Sequence, residues 1–248
     1  MAMCLIISSI GITPVEVSAQ SNQTPVSGTV VYVDGVNGND TNAGTGANDA
    51  LKTLGAAYAK LAAENVKTTI VITGNVDASN SGLIEYYGKY GTDDHYKNTL
   101  VFPAHKGEVV ITSKIGTEDY TNQASLSFGS NNNKEYMLQG ATTFENIHVT
   151  GYATVIYADF FNLTLGDGIT SESAYYPAQS VYLGYRRQTV NYNETNASAF
   201  VMNSGKIGRY YAGTYYWNTA YSKMSTIING GSIETVYGTA ISNNNEQS

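Results

Sequence analysis

Met202-Asn203-Ser204-Gly205-Lys206-Ile207 recurs 26 residues later as Ile228-Asn229-Gly230-Gly231-Ser232-Ile233, and Tyr211 falls on Tyr237 at the same offset. A looser echo sets Asn146-Ile147-His148-Val149 against Asn162-Leu163-Thr164-Leu165 at an offset of 16. A fixed period of this length signals one supersecondary unit stacked on copies of itself, each burying its apolar face against the next. The period suits one coil of a β-solenoid, in which apolar side chains point into a shared core and Asn or Gly takes the tight corners. The offsets differ, so loops of different length must leave the coils. A two-sheet sandwich with chance similarity is the alternative.

The rest of the chain is consistent with that unit. Short β-rich runs follow one another at Thr68–Thr73, Thr99–Phe102, Val109–Ser113, Ser125–Phe128, Thr143–Val149, Thr154–Tyr157 and Asn162–Leu165. The series continues at Ser180–Leu183, Ala199–Met202, Ile207–Tyr211, Thr226–Ile228 and Ile233–Tyr237, with Gly, Asn, Asp or Ser between nearly all of them. Only about 48–65 has helical spacing: Leu51, Leu54, Tyr58 and Leu61 recur at steps of three and four, and Asn48 or Asp49 is the expected N-cap. One helix before a dozen strands is not a βαβ alternation, which excludes a doubly wound sheet.

Composition narrows the function classes. Charged residues make up 13% of the 248, and 13 basic against 20 acidic side chains give a net charge of −7. Phosphate recognition needs clustered Lys and Arg, so nucleic acid is not a partner of this chain. With 42% hydrophobic residues the chain can bury a core, which excludes charge-driven disorder. Residues 1–19 read as a signal peptide whose positive start is missing: an apolar run from Met3 to Ile12 precedes Val17-Ser18-Ala19, a signal-peptidase pattern. A buried N-terminal strand is the other reading. Residues 20–28 are a polar linker, and 29–248 form one domain. Cys4 is the sole cysteine and would leave with the signal peptide, so the mature chain has no disulfide framework or thiol chemistry. No later stretch is apolar for long enough to span a bilayer. The expected location is extracellular or at a cell surface.

A family resemblance enters at the N-terminal end of the domain. Val31-Tyr32-Val33-Asp34-Gly35-Val36-Asn37-Gly38-Asn39-Asp40, then Asn42-Ala43-Gly44-Thr45 and Ala50-Leu51-Lys52-Thr53-Leu54, resembles the opening of many secreted right-handed parallel β-helix proteins of the pectin-lyase-like superfamily. That resemblance implies an all-β, right-handed parallel β-helix in which an N-terminal α-helix caps the first coil. Such a cap keeps an apolar core and open strand edges away from water. Asn229–Gly238 is similar to repeats in large surface proteins of anaerobic bacteria, and the polar tail after Tyr237 reads as an incomplete C-terminus. The chain is therefore expected to be the N-terminal part of a bacterial surface protein. The superfamily includes lyases, hydrolases, adhesins and structural domains, so the residues must decide the function.

Several residue sets could carry chemistry. The polygalacturonase-like hydrolases pair carboxylates on one coil face; here the only adjacent pair of aspartates is Asp93-Asp94, beside His95 in a tyrosine-rich loop, and it reads as a solvated tip. A pectate-type lyase needs a basic residue to take the proton beside a uronate carboxylate, with calcium held by oxygens to acidify it. Lys206 and Arg209 are the candidates for the base, and Asp159 and Asp167, flanking one strand, for the ligands. Asp34, Asn37, Asn39 and Asp40 offer a second set of oxygens for Ca2+, although Asn, Asp and Gly also simply build turns. No cofactor is otherwise required. The clustered aromatics supply ligand-binding candidates: Tyr185, Arg186 and Arg187, then Arg209, and then Tyr215, Tyr216 and Trp217. Tyrosine can stack on a sugar ring, and arginine can grip uronate or sulfate. Stacking of tyrosines on one another along a solenoid explains the same clustering. The expected role is polysaccharide binding or adhesion at a cell surface, with a lyase and an inert spacer as alternatives.

Overall fold

The computed structural model describes residues 29–61, 65–85, 99–129, 134–184, 197–213 and 223–238. The chain is mostly β, and nearly all its strands run parallel in three sheets. The first sheet orders Val30–Val33, Thr68–Ile72, Val109–Thr112, Thr142–Glu145, Leu163–Leu165, Ala197–Met202 and Lys223–Ile228. A short sheet stacks Asn75–Asp77, Ser125–Ser127, Ile147–Thr150 and Ile169–Thr170. The second large sheet runs from Thr99–Phe102 through Glu135–Leu138, Ala153–Tyr157, Ala178–Tyr182 and Lys206–Tyr211 to Ser232–Tyr237, with Ile84–Glu85 added antiparallel to its first member. From Thr68 to Tyr182 the chain visits first, short and second sheet in turn, and every return adds a strand beside the previous visitor.

The sequence explains this pattern. Runs such as Val109-Val110-Ile111-Thr112 are β-branched and buried at every position, as strands covered on both faces must be. Their inward side chains form one core with Leu54, Ile72, Phe102, Leu126, Phe144 and Tyr210, drawn from all three sheets and the helix. The repeat at offset 26 is the true register of the last two circuits: Lys206 pairs with Ser232, Ile207 with Ile233 and Tyr211 with Tyr237. The Asn229 side chain also donates to that of Asn203 at 2.9 Å. The echo at offset 16 is not a register. Ile147–Thr150 belongs to the short sheet, whereas Leu163–Leu165 pairs with Thr142–Phe144 in the first.

Two expected elements have different bounds. Thr143–Val149 is not one strand, because Asn146 adopts φ 44 and turns the chain from the first sheet into the short one. Asparagine tolerates this left-handed conformation better than other side chains, which is why one residue suffices for the corner. The helix is Leu54–Ala59, shorter than 48–65, with Thr53 rather than Asn48 or Asp49 as its N-cap. Ala47–Asp49 is a separate 3-10 turn. Leu51 cannot be helical because its N–H donates to Tyr32 and its carbonyl accepts from Asp34, which pairs it with the first strand. Leu54, Ala57 and Tyr58 bury the helix's apolar side, and Tyr58 meets the edge of Phe102 at 6.0 Å. At the opposite end, Lys223–Ile228 and Ser232–Tyr237 are the outermost strands of their sheets, and Ile228 and Val236 are 48% and 54% exposed.

Candidate functional site

The loop after the first strand is held by its own carboxylates. Asp34 accepts from the N–H groups of Val36 and Asn37 and from the Asn37 side chain. Burial pushes the Asp34 carboxyl up, but these donors outweigh it and hold the group below the usual carboxylate range. Asn39 accepts from the N–H and hydroxyl of Thr41. Asp40 accepts from the N–H groups of Lys52 and Thr53 and from the Thr53 hydroxyl at 2.8–2.9 Å. Of the side chains considered for Ca2+, Asp34, Asn39 and Asp40 thus accept hydrogen bonds from the chain's own donors, and Asn37 donates to Asp34. Asp40 ties the loop to the residue that caps the helix. Asp40→Ala is expected to lower stability by about 1–2 kcal/mol, read from the shift of a urea midpoint at constant slope. A change below a few tenths would show that the tie is dispensable.

The residues considered for a lyase lie on different elements. Asp159 stands at the corner leaving the second sheet, and Asp167 in the turn entering the short sheet, so Leu163–Leu165 lies between them. Asp159 is half-buried with φ 49, and its Oδ1 has no hydrogen-bond partner among the described residues. Burial pushes its carboxyl up to about 8. Asp167 is exposed, and its main-chain carbonyl accepts from Asn146. Lys206 and Arg209 come from one strand, Lys206–Tyr211, and both act on Tyr175. The Lys206 ammonium lies 5.9 Å from the Tyr175 ring centroid, within cation–π range. The Tyr175 hydroxyl donates to Glu234 at 3.1 Å, and that bond and charge push its pKa up while Arg209 works against them. Tyr152 meets the Tyr175 ring edge-on at 5.7 Å. Among the described residues no ion pair joins Lys206 or Arg209 to a carboxylate, and no group of three His, Asp or Glu side chains is placed to hold a metal.

This patch of Tyr152, Tyr175, Lys206, Arg209 and Glu234 is the candidate site. No sequence periodicity links Tyr175 to Lys206, which reaches it because Tyr176 and Lys206 exchange main-chain hydrogen bonds. The patch has two cations, one acid and two aromatic rings. It can attract an anionic, ring-shaped ligand, but it lacks the paired carboxylates of hydrolytic acid–base work.

Other tyrosines behave differently. Tyr157, Tyr182, Tyr211 and Tyr237 are successive Cα partners on the second sheet. Tyr182 and Tyr211 stack at 4.0 Å and 1°, Tyr211 and Tyr237 at 4.5 Å and 5°. Their faces cover one another, so this ladder stabilises the sheet and offers no ring to a sugar along its length. Asp93, Asp94 and His95, together with Tyr185, Arg186, Arg187, Tyr215, Tyr216 and Trp217, lie outside the described residues. The residues flanking the last two groups are neighbours: Gly184 donates to Gly213 at 3.1 Å, and Ala197 is the Cα partner of Lys223. No protein-family model, curated protein or solved structure matches this chain.

Proposed function

We propose that the chain is a secreted or cell-surface domain of the right-handed parallel β-helix type, similar to the pectin-lyase-like proteins, that binds polysaccharide without cleaving it. Three parallel sheets visited in turn around one core support the architecture. The buried side of Leu54–Ala59, next to the first strand, supports a capping role for the helix. Among the described residues no helix is long and apolar enough to cross a membrane.

The observation that carries the function is the Lys206 ammonium set 5.9 Å from the ring of the half-exposed Tyr175, with Arg209 on the same strand. Ring and cations together suit an acidic sugar: the ring takes an apolar sugar face, and the cations take a carboxylate or sulfate. The same two cations keep a lyase as the second reading, since one of them could serve as the base. A single experiment separates the two. The chain is incubated with polygalacturonate and calcium while the absorbance of unsaturated uronate is followed, and its retention on immobilised polygalacturonate is measured in parallel. We expect retention, a flat absorbance trace, and at least about tenfold weaker retention for Lys206→Ala/Arg209→Ala, as loss of charge-assisted contacts implies. A chelator-sensitive absorbance rise that disappears in Lys206→Ala would establish a lyase. Neither retention nor turnover on any acidic polymer would leave a spacer.

A further inference from the structure

On a separate face, Asn75, Ser125, His148 and Thr170 come from the four strands of the short sheet and fall in one row, each the Cα partner of the next. They floor an open trough of about 560 Å³, with Thr150 beside them and Thr121 to Ala124 as its rim. Strands stack about 4.8 Å apart, so the row presents a hydrogen-bonding side chain at each step over roughly 14 Å.

Three features favour a ligand site over an ordinary wet surface. The rim is an addition to the circuit: residues 113–124 occupy the connection that Asn146 makes alone one circuit later. The rim is also braced. The Thr121 N–H and hydroxyl both donate to Asp119, Asp119 pairs with Lys114 at 3.0 Å, and Tyr120 donates to Glu118. The floor is ordered too, because Ser125 donates to the Asn75 side chain at 2.9 Å and His148 Nδ1 lies 3.2 Å from the Thr170 hydroxyl. Rigid polar groups lose little entropy on binding.

The lining decides the class of ligand. It holds hydroxyls, amides and one imidazole, with no carboxylate, lysine or arginine. An anionic polymer finds no counter-charge there, and an apolar ligand finds no apolar wall. A peptide strand would seek unpaired main-chain groups, but those of the floor are used in the parallel ladder. A chain of neutral sugars has what the row can use, hydroxyls that both donate and accept, repeated along an extended backbone. We propose that this trough binds a neutral polysaccharide lying across the strands, as a site separate from the Tyr175 patch.

The inference rests on the reading of the chain as a polysaccharide binder, and its test distinguishes the two. The full chain is run through native gels containing galactomannan, xyloglucan, mixed-linkage β-glucan or polygalacturonate. We expect retardation by at least one neutral polymer. Binding should weaken at least about fivefold in His148→Ala and in Asn75→Ala but stay unchanged in Lys60→Ala, an exposed residue of neither site, with the near-ultraviolet dichroism of all three matching the parent. Retardation by polygalacturonate alone would overturn the trough and leave the general reading intact. Neutral binding that survives both trough variants would also overturn it. No retardation in any gel would overturn both.

Discussion

Phe144→Ala is expected to lower the unfolding free energy by about 3–5 kcal/mol. Phe144 is fully buried on the middle strand of the first sheet and meets Phe102 at 6.1 Å and Phe128 at 5.9 Å, both edge-on. Those rings in turn contact Tyr136, at 5.8 and 5.0 Å, and the Tyr136 hydroxyl donates to the Phe128 carbonyl. The four rings join strands of the two large sheets to the residue following Ser125–Ser127 of the short sheet. Truncation removes contacts to two rings at once and leaves a cavity that sheets fixed on three sides cannot close. Phe144→Leu should cost less, about 1–1.5 kcal/mol, because it refills most of the volume. Urea titration of both variants checks this, and a loss below about 1 kcal/mol for Phe144→Ala would show that the sheets do collapse around the gap.

Asp159→Asn is expected to raise stability at alkaline pH and to leave it unchanged in acid. Burial raises the folded-state pKa of Asp159 to about 8, whereas a carboxyl in the unfolded chain titrates near 3.9. Between those values the folded chain holds a proton that the unfolded chain has released, so the contribution of this residue to stability falls as pH rises from about 4 to about 8. Below that window both states are protonated and the residue is neutral; above it the full penalty of a buried charge applies. Asparagine has no such titration, and it suits φ 49 as well as aspartate does. Water reaching a half-buried carboxylate reduces the full linkage value, so we expect a gain of about 1–3 kcal/mol at pH 8.5 that shrinks to nothing at pH 4. Equal gains at both pH values would trace the effect to packing, and none at either would show that the carboxylate finds solvent or a partner when ionised.

The legible parts of the chain were those encoded by local repetition. The second circuit of the repeat could be read because Ile207 and Ile233, and Tyr211 and Tyr237, are separated by a constant number of residues with nothing inserted. The offset of 16 misled because Ile147–Thr150 and Leu163–Leu165 have the same alternation, and alternation does not say to which sheet a strand belongs. The helix start was misplaced for a related reason. Asn48 and Asp49 are good caps, but Asp40 reaches Thr53 from thirteen residues away and Leu51 is held by the first strand. Of the candidate residues, Lys206 and Arg209 lie on one strand, and Asp159 and Asp167 flank another. Nothing in the sequence marked Tyr175 as their partner.

By itself the sequence determined the β class and the pairing of the last strands at an offset of 26. Periodicity, turn preference and burial are properties of a few neighbouring residues. Only the tertiary structure decided that Asn146 turns a corner, that tyrosines from four circuits stack face to face, and that Asn75, Ser125, His148 and Thr170 line one trough. These residues stand 22 to 50 positions apart where they touch. Their meeting depends on how much chain each circuit spends in its loops, a length that the hydrophobic period leaves free.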